Sequence, residues 1–429
     1  MPRKPRRSTR RRRSPKVAEP EPEPATNATE TTPGAFPAPV RTPVTADRIL
    51  VVVDRDGPDP RLNEYMEIMA SHGHPCVVLQ VPGGDPHKAR ALVRAHPGVA
   101  DGSVSGIQIF GTQIPSFRLR YFFPESTMDS RGASDLPYGT DFPFFANPFG
   151  PAEGFRKPAW SASDLAAALS APTADYRQSQ WVARIFKLDS QYLENLANTV
   201  PPQTNNLLIA NADPTFDDEE LNQRIRDRYR ARYGTLVAGQ NSRFAFLGPE
   251  FGPGQLFDFL EANLTNATFL SIADHGSSNK LVNFPPSQNG IPTLPHLPDV
   301  VEFAACSAGD WMEESAPSIS VVEAALRNGC LTTVAAQCLL AWNFTRGFAD
   351  PHPGTNPFDQ DNQNPAPMLD IWPSSPSLGR AQMEAVSQAL NLLKTSLYRD
   401  KPHIVFQVLC GHSLFGDGTV EFSSSRSFA

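Results

Sequence analysis

Residues 267–276 read ATFLSIADHG, and residues 300–306 read VVEFAAC. In each stretch an apolar run is followed by a residue with a reactive side chain, His275 in the first and Cys306 in the second. A continuous apolar run of this length is typical of a strand in a parallel sheet that is covered on both faces. The two stretches therefore predict an α/β fold with a histidine and a cysteine placed directly after two of its strands.

The same pattern recurs along the rest of the chain. Apolar runs at 49–53, 76–81 and 105–111 alternate with stretches at 61–71 and 86–96, whose apolar residues recur at helical spacing. This alternation predicts βαβ units in mostly parallel sheets flanked by helices. Further strands are predicted at 181–185, 206–210, 244–247, 331–336 and 403–409. Further helices are predicted at 162–169, 189–199, 214–233, 254–264, 319–328 and 379–398.

The composition divides the 429 residues into an arm and two α/β subdomains that lie side by side. Residues 1–46 are basic, then rich in Pro and Glu, and this composition predicts a disordered arm. An N-terminal subdomain is expected over 47–200 and a catalytic subdomain over 201–429. Within them, 115–160 and the Pro/Asn/Asp-rich stretch 346–378 are expected to be long loops, the second as an insertion.

The charge distribution argues against nucleic acid as the main partner. Residues 1–16 carry nine Lys or Arg and no acid. Residues 17–429 contain the other 29 basic residues and all 45 acidic ones, so this part of the chain has a net charge of −16. An acidic body repels nucleic acid, and only the basic arm could contact it.

Cysteine usage and hydropathy set the expected compartment. Five cysteines without a CxxC pair argue against a disulfide scaffold or a zinc ribbon. The sequence has no run of 18 apolar residues, so no membrane span is predicted. The basic N-terminus continues into Pro and Glu, whereas a secretory leader would continue into an apolar segment. We therefore expect a cytoplasmic protein.

The positions of His275 and Cys306 predict thiol chemistry. Active sites of open parallel sheets gather at the carboxyl ends of the strands, and adjacent strands would bring these two side chains together. A nearby imidazole favours the thiolate, which is the reactive form of cysteine. Gly276 leaves room for a substrate carbonyl, so its N–H and that of Cys306 are candidate oxyanion donors.

Either residue alone would more often be structural. A buried cysteine usually packs as a small core residue. Here both residues end apolar strands and both are followed by small residues, and this coincidence favours the catalytic interpretation. The other four cysteines lie in or beside apolar runs and are expected in the core: Cys76, Cys330, Cys338 and Cys410.

Blocks of the sequence resemble the gingipain-like cysteine peptidases, which share a caspase-like fold. The His-Gly and Ala-Cys blocks carry the resemblance, and four further blocks occur in the same order as in that family. They are Gln113-Ile114-Pro115, Ser134-Asp135-Leu136-Pro137-Tyr138, Val182-Ala183-Arg184-Ile185 and Leu414-Phe415-Gly416-Asp417-Gly418-Thr419. Two positions depart from the family pattern: Ala183 stands where Gly is usual, and Gly418 where Pro is common.

The resemblance implies a peptidase in which Cys306 attacks the scissile carbonyl and His275 protonates the leaving amine. It implies a third, acidic residue, for which Glu125 is favoured over Asp129. It also suggests Trp342 as the wall and Asp141 as the anionic floor of a pocket for a basic residue. The expected partner is a protein or peptide substrate.

No cofactor and no catalytic metal are expected. A structural calcium ion is compatible with the resemblance, and the loop carboxylates Asp350, Asp359 and Asp361 could bind one, although no ligand spacing specifies it.

Two other functions fit parts of the sequence. One is a partner-specific Cys-His protease of the kind associated with helical-repeat proteins, which has similar His-Gly and Ala-Cys blocks. The other is a non-catalytic caspase-like scaffold that binds partners through its arm or loops. The expected N-terminal α/β half and the closing Gly-Asp block favour the gingipain-like peptidase over the first, and the intact Cys-His pair argues against the second.

Deleting residues 1–45 should leave Tm unchanged, because a disordered arm contributes no buried surface. Thermal unfolding of the full chain and of the truncated chain measures this. A loss of several degrees would mean that the arm packs on the body.

Overall fold

A computed structural model describes the chain from residue 47 to residue 422 with gaps. The described residues are 47–122, 129–140, 177–199, 206–211, 243–247, 258–259, 262–264, 267–273, 276–277, 280–281, 297–305, 308–312, 320–335, 337, 368–392, 411 and 413–422. The expected disordered arm therefore lies outside the described part and stays a prediction.

Fourteen strands are found in this part of the chain: β1 (Arg48–Asp54), β2 (Cys76–Val81), β3 (Val104–Phe110), β4 (Phe117–Phe122), β5 (Asp129–Ser134), β6 (Trp181–Ile185), β7 (Asn206–Asn211), β8 (Arg243–Leu247), β9 (Phe269–Ala273), β10 (Gly276–Ser277), β11 (Lys280–Leu281), β12 (Val300–Ala304), β13 (Thr332–Ala335) and β14 (Ser413–Gly416). The α-helices with described bounds are α1 (Leu62–Ser71), α2 (Pro86–Ala95), α3 (Pro97–Ala100), α4 (Ser190–Ala197), α5 (Val321–Arg327), α6 (Met368–Ile371) and α7 (Leu378–Leu392).

Ten of the strands form one sheet in the order β2-β1-β3-β6-β14-β13-β12-β9-β7-β8. Every neighbouring pair in this sheet is parallel except β13 and β14, which are antiparallel. The five strands from β2 to β14 therefore run opposite to the five from β13 to β8. The mostly parallel α/β fold expected from the sequence is confirmed.

The central strands are buried because helices cover the sheet. The burial pattern of β3 and β6 is continuous rather than alternating, as expected for strands covered on both faces. Helix α7 contributes a polar contact as well: Gln382 accepts a hydrogen bond from Val182 N at 2.9 Å and donates one to Val182 O at 3.1 Å. This satisfies a backbone position of β6 that its short neighbour β14 does not reach.

The helices begin where the sequence supplies caps. Asp85 accepts hydrogen bonds from the backbone N–H groups of His87 and Lys88, with Pro86 in the first turn of α2. Asp189 caps α4 and Ser320 caps α5 in the same way. A side-chain oxygen at this position satisfies backbone donors that have no partner within the helix.

Two stretches expected to be loops contain regular structure. Residues 117–122 and 129–134 pair as the antiparallel strands β4 and β5, called the hairpin below, and residues 136–138 form a 3₁₀ turn. Residues 368–374, at the end of the expected insertion 346–378, form α6 and a second 3₁₀ turn. Met368, Ile371 and Trp372 anchor this segment because all three are buried in the core.

Several predicted elements lie outside the described residues: the helices at 162–169 and 214–233 and the strand at 403–409. Only parts of the helix predicted at 254–264 are described, and of these residues 258–259 and 262–263 are helical. The domain boundary at residue 200 stays a prediction. Among the described helices, none is long and apolar enough to span a bilayer.

Trp181, at the start of β6, is enclosed by three glycines that come from distant parts of the sequence. Gly106 is its paired residue on β3. A methyl group at Gly106 would overlap the indole, and methyl groups at Gly379 and Gly418 would each lie 2.6 Å from one of its atoms. Gly379 N also donates to Gly418 O at 2.8 Å. Gly418 therefore has no room for a side chain beside the indole that it adjoins.

Gly106→Ala should lower the free energy of unfolding by about 3 kcal/mol, because the added methyl overlaps an indole that has no space to move. Gly57→Ala is the matched control, since nothing lies within 4 Å of its added methyl, and its effect should stay within about 0.5 kcal/mol. Urea unfolding of the two variants measures the difference. Equal stabilities would mean that the packing around Trp181 is loose.

Candidate active site

The candidate site lies at one edge of the sheet, where β9, β12 and β13 end. β9 and β12 are adjacent and parallel, and their last residues, Ala273 and Ala304, are direct partners. β13 is the other parallel neighbour of β12, so its carboxyl end lies at the same edge. The prediction that the strands before His275 and Cys306 are adjacent and parallel is confirmed.

A buried side-chain pair joins these two strands below that edge. Ser271 on β9 and Glu302 on β12 are register partners, and Ser271 Oγ donates to Glu302 Oε2 at 2.5 Å. Both side chains are almost fully buried. A short bond to a carboxylate fixes the register of the two strands, because slipping by one residue would leave both groups without this partner.

The hairpin of β4 and β5 reaches the same edge from the other half of the sheet. Ala133 N, near the end of β5, donates to Gln337 O at 2.9 Å. Gln337 lies two residues after β13, and its Nε2 donates to Ser413 Oγ at 2.7 Å. The second strand of the hairpin is thereby attached to the chain beside the carboxyl ends of β12 and β13.

A buried ion pair holds the base of this hairpin. Arg184 of β6 donates from Nε to Asp135 Oδ2 at 2.7 Å and from Nη2 to Asp135 Oδ1 at 2.6 Å. Arg184 Nη1 donates to Gly111 O at 2.7 Å, and Ser116 Oγ donates to Asp135 Oδ1 at 2.7 Å. The side chain of Arg184 is fully buried and that of Asp135 is 7% exposed. Bidentate pairing with extra hydrogen bonds is what a buried ion pair needs to offset its desolvation.

The same guanidinium contacts the chain segment that follows Cys306. Arg184 Cζ lies over the ring of Trp311, 4.7 Å from its centroid. Phe186 contacts that ring edge-on with centroids 5.7 Å apart, and it stacks on Phe415 of β14 at 5.5 Å. Cation–π and aromatic contacts therefore hold Trp311, five residues after the predicted nucleophile.

The blocks quoted for the family resemblance also meet elsewhere in the described structure. Tyr138 Oη donates to Pro115 O at 2.9 Å, which joins the second block to the first. Asp417 accepts hydrogen bonds from Thr419 N at 2.9 Å and from Thr419 Oγ1 at 2.8 Å, and burial raises its pKa. Asp417 thus caps a turn within its own block.

Most of the predicted site residues lie outside the described part of the chain. This holds for Cys306, His275, Glu125, Asp141 and Trp342, and for the three candidate calcium ligands. Gly276 is described: it begins β10, is half-buried, and pairs with Leu281 of β11. Its role as an oxyanion donor stays a prediction. Across the described residues, no group of three or more His, Cys, Asp or Glu side chains could hold a metal ion.

The ion pair and its contact with Trp311 were not predicted from the sequence. One signal was available, because Arg184 is a charged residue inside the apolar stretch WVARIF. A charged residue within a fully buried strand requires a buried partner. The identity of that partner was not readable, since Asp135 is 49 residues away in sequence.

The described cysteines are poor nucleophiles. Burial and then the charge of Asp417 raise the pKa of the Cys76 thiol to about 12. Burial also raises the pKa of Cys330 well above its ordinary value, and its Sγ lies 2.9 Å from Thr332 O as a donor. Thiols of this kind stay protonated at neutral pH, so neither of these two cysteines is a candidate nucleophile.

Comparison with known proteins supports the fold alone. No family model matches the sequence, and no curated protein matches it. Among solved structures, the chain is similar to gingipain R, described as an Arg-specific cysteine proteinase, with a TM-score of 0.50 and 13% sequence identity. The match covers 89% of this chain and 80% of the gingipain chain. At this identity the similarity shows a common fold.

Iodoacetamide should leave Cys76 and Cys330 almost unmodified in the native protein at pH 8. At about four units below a pKa of about 12, only about 10⁻⁴ of the Cys76 thiol is thiolate. Because the pKa is raised, the rate should climb about tenfold per pH unit. Peptide mapping of the alkylated protein measures both rates, and the urea-unfolded chain is the control. Native rates equal to the unfolded ones would contradict the burial of these thiols.

Proposed function

We propose that the protein is a cysteine endopeptidase in which Cys306 is the nucleophile and His275 is its imidazole partner. The observation that carries the proposal is the pairing of Ala273 with Ala304 at the ends of two adjacent parallel strands. The similarity of fold to a cysteine proteinase supports it independently.

Chain connectivity links that pairing to the two reactive residues. His275 and Cys306 each lie two residues beyond a member of the pair, so each Cα is within about 7.6 Å of Ala273 or Ala304 along the chain. Adjacent strands are about 4.8 Å apart. These distances are compatible with contact between the imidazole and the thiol.

The proposed reaction is acyl transfer to sulfur. The Cys306 thiolate attacks the scissile carbonyl carbon, the carbonyl oxygen becomes an oxyanion, and backbone N–H groups at Gly276 and Cys306 would stabilise it. When the C–N bond breaks, His275 gives its proton to the leaving amine and an acyl-thioester remains. Water then hydrolyses the thioester and regenerates the thiol. Burial of the neighbouring Ala305 and Ala308 supports a site with limited access of solvent.

The substrate class is proposed to be proteins or peptides with a basic residue before the cleaved bond. The structural neighbour is described as Arg-specific, and the body of this chain is acidic. Asp141 and Trp342 are the proposed floor and wall of the pocket, and Glu125 is the proposed third residue beside His275. Glu125 belongs to residues 123–128 between the two strands of the hairpin, whose base is attached at the candidate edge. The cytoplasmic location also stays a prediction.

Cys306→Ala should abolish labelling by thiol-directed peptide probes, because alanine has no nucleophile. Cys338→Ala is the matched control and should label like the wild type. Labelling is measured by mass spectrometry of the modified peptide. Cleavage of a peptide library, with Cys306→Ala as the blank, then reports whether Arg and Lys are preferred.

Three outcomes separate the functions. Labelling and cleavage that both need Cys306 support the peptidase. Cleavage of a single partner protein and of no library peptide favours the partner-specific protease. Equal labelling of the two variants would defeat the proposal and leave the non-catalytic scaffold.

A further inference from the structure

We propose that Arg184, Asp135 and Trp311 form a clamp that sets the position of residues 308–312, which follow Cys306 in sequence, against the hairpin of β4 and β5. Arg184 is then a positioning residue, acting on the reaction through the segment that its guanidinium holds. The functional part of this inference rests on the proposed peptidase activity. The clamp itself rests on the contacts alone.

The guanidinium of Arg184 is fixed on several sides. In its plane, two N–H groups bind the carboxylate of Asp135 and a third binds Gly111 O, all at 2.6–2.7 Å. Asp135 is fixed in turn by Ser116 Oγ at 2.7 Å. A planar fork held at three points has little freedom to rotate, so its face is a rigid platform.

Trp311 lies on that platform. Its ring centroid is 4.7 Å from Arg184 Cζ, and Phe186 contacts its edge. Its indole Nε1 is buried, and no acceptor within the described residues lies within hydrogen-bonding distance. The position of Trp311 therefore depends on ring contacts, chiefly with the guanidinium. The backbone N–H of Trp311 donates to Gly309 O at 2.9 Å, so residues 309–311 form a tight turn.

Asp135 connects the clamp to the hairpin. It follows β5 directly, two residues after Ala133, whose N–H bonds to Gln337 O beside the candidate edge. One carboxylate thus lies between the guanidinium under Trp311 and the strand attached to that edge. The proposed nucleophile precedes Trp311 by five residues in sequence, and Glu125 lies between β4 and β5 in sequence. The clamp therefore couples two segments that adjoin, in sequence, the proposed nucleophile and the proposed third residue.

An ion pair suits positioning better than stability. A buried ion pair is often no more stabilising than apolar side chains of the same volume, because the desolvation of two charges offsets their attraction. What it adds here is directed geometry, since four hydrogen bonds and one ring face define a single arrangement. Catalysis is sensitive to such geometry, and a misplacement of about 1 Å can lower the rate by about 10²-fold.

The test compares five proteins: the wild type, Arg184→Lys, Arg184→Met, Trp311→Leu and Met69→Ala. Arg184→Lys keeps the positive charge but loses the planar guanidinium. Arg184→Met keeps a side chain of similar volume but loses the charge, and Trp311→Leu removes the aromatic ring. Met69→Ala is the stability control, because Met69 is fully buried in α1 and makes none of the clamp contacts. All measurements are made at a temperature well below the lowest Tm of the five proteins. If Arg184→Met does not fold, Arg184→Lys and Trp311→Leu still test the clamp.

Two readouts are predicted. Hydrogen exchange of peptides covering 129–138 and 308–312 should be at least about tenfold faster in the three clamp variants, whereas Met69→Ala should not single out these peptides. On a peptide substrate, kcat should fall by about tenfold or more with KM changed less than about threefold, and Arg184→Lys should fall between wild type and Arg184→Met.

Each result decides one part. Exchange in the clamp variants that matches the control overturns the clamp. Faster exchange with an unchanged kcat overturns the positioning role and keeps the clamp as a structural device. A wild type that hydrolyses no peptide and is not labelled at Cys306 removes the proposed function, and the exchange data then judge the clamp by itself.

Discussion

The ion pair between Arg184 and Asp135 is the constraint on which the organisation of the site depends. A charge in the middle of a fully buried strand is tolerated only where an opposite charge and further acceptors surround it. Meeting that requirement draws together the turn after β3, the end of β5, the strand β6 and the segment that contains Trp311. Four segments far apart in sequence are therefore fixed relative to one another by one guanidinium.

The reversal of strand direction between β13 and β14 determines which strands end at each edge of the sheet. Because the two sets of five strands are antiparallel, β3 and β6 end at one edge of the sheet, and β9 and β12 end at the other. Gly111 N bonds to Ile185 O at the first edge, and Ala133 N bonds to Gln337 O at the second. The contact at Ala133 therefore attaches the hairpin, which belongs to the N-terminal half, at an edge where the strands of that half begin rather than end.

The sequence was sufficient for the features that depend on local apolar pattern. The strands around residues 49–53, 105–111 and 300–305 follow from continuous apolar runs, and the pairing of the strands before His275 and Cys306 follows from their expected parallel order. The hairpin was missed, although β4 alternates apolar and charged residues, because β5 is small and polar and predicts no strand. The partners of Arg184 and the reversed direction of β14 could not be predicted from the sequence, because both depend on contacts between residues far apart in sequence.

The enclosure of Trp181 bears on how such a chain can change over evolutionary time. Three positions from separate regions, 106, 379 and 418, share one neighbour and must all remain without a side chain while that neighbour is an indole. A smaller residue at 181 would release positions 106 and 418, whose added methyl groups meet only the indole, and would leave a void that they could fill. Position 379 stays restricted, because a methyl group there would also lie 2.7 Å from Gly418 O. Relatives of this protein should therefore show correlated substitution: alanine or serine at 106 and 418 together with the loss of tryptophan, and rarely one without the other.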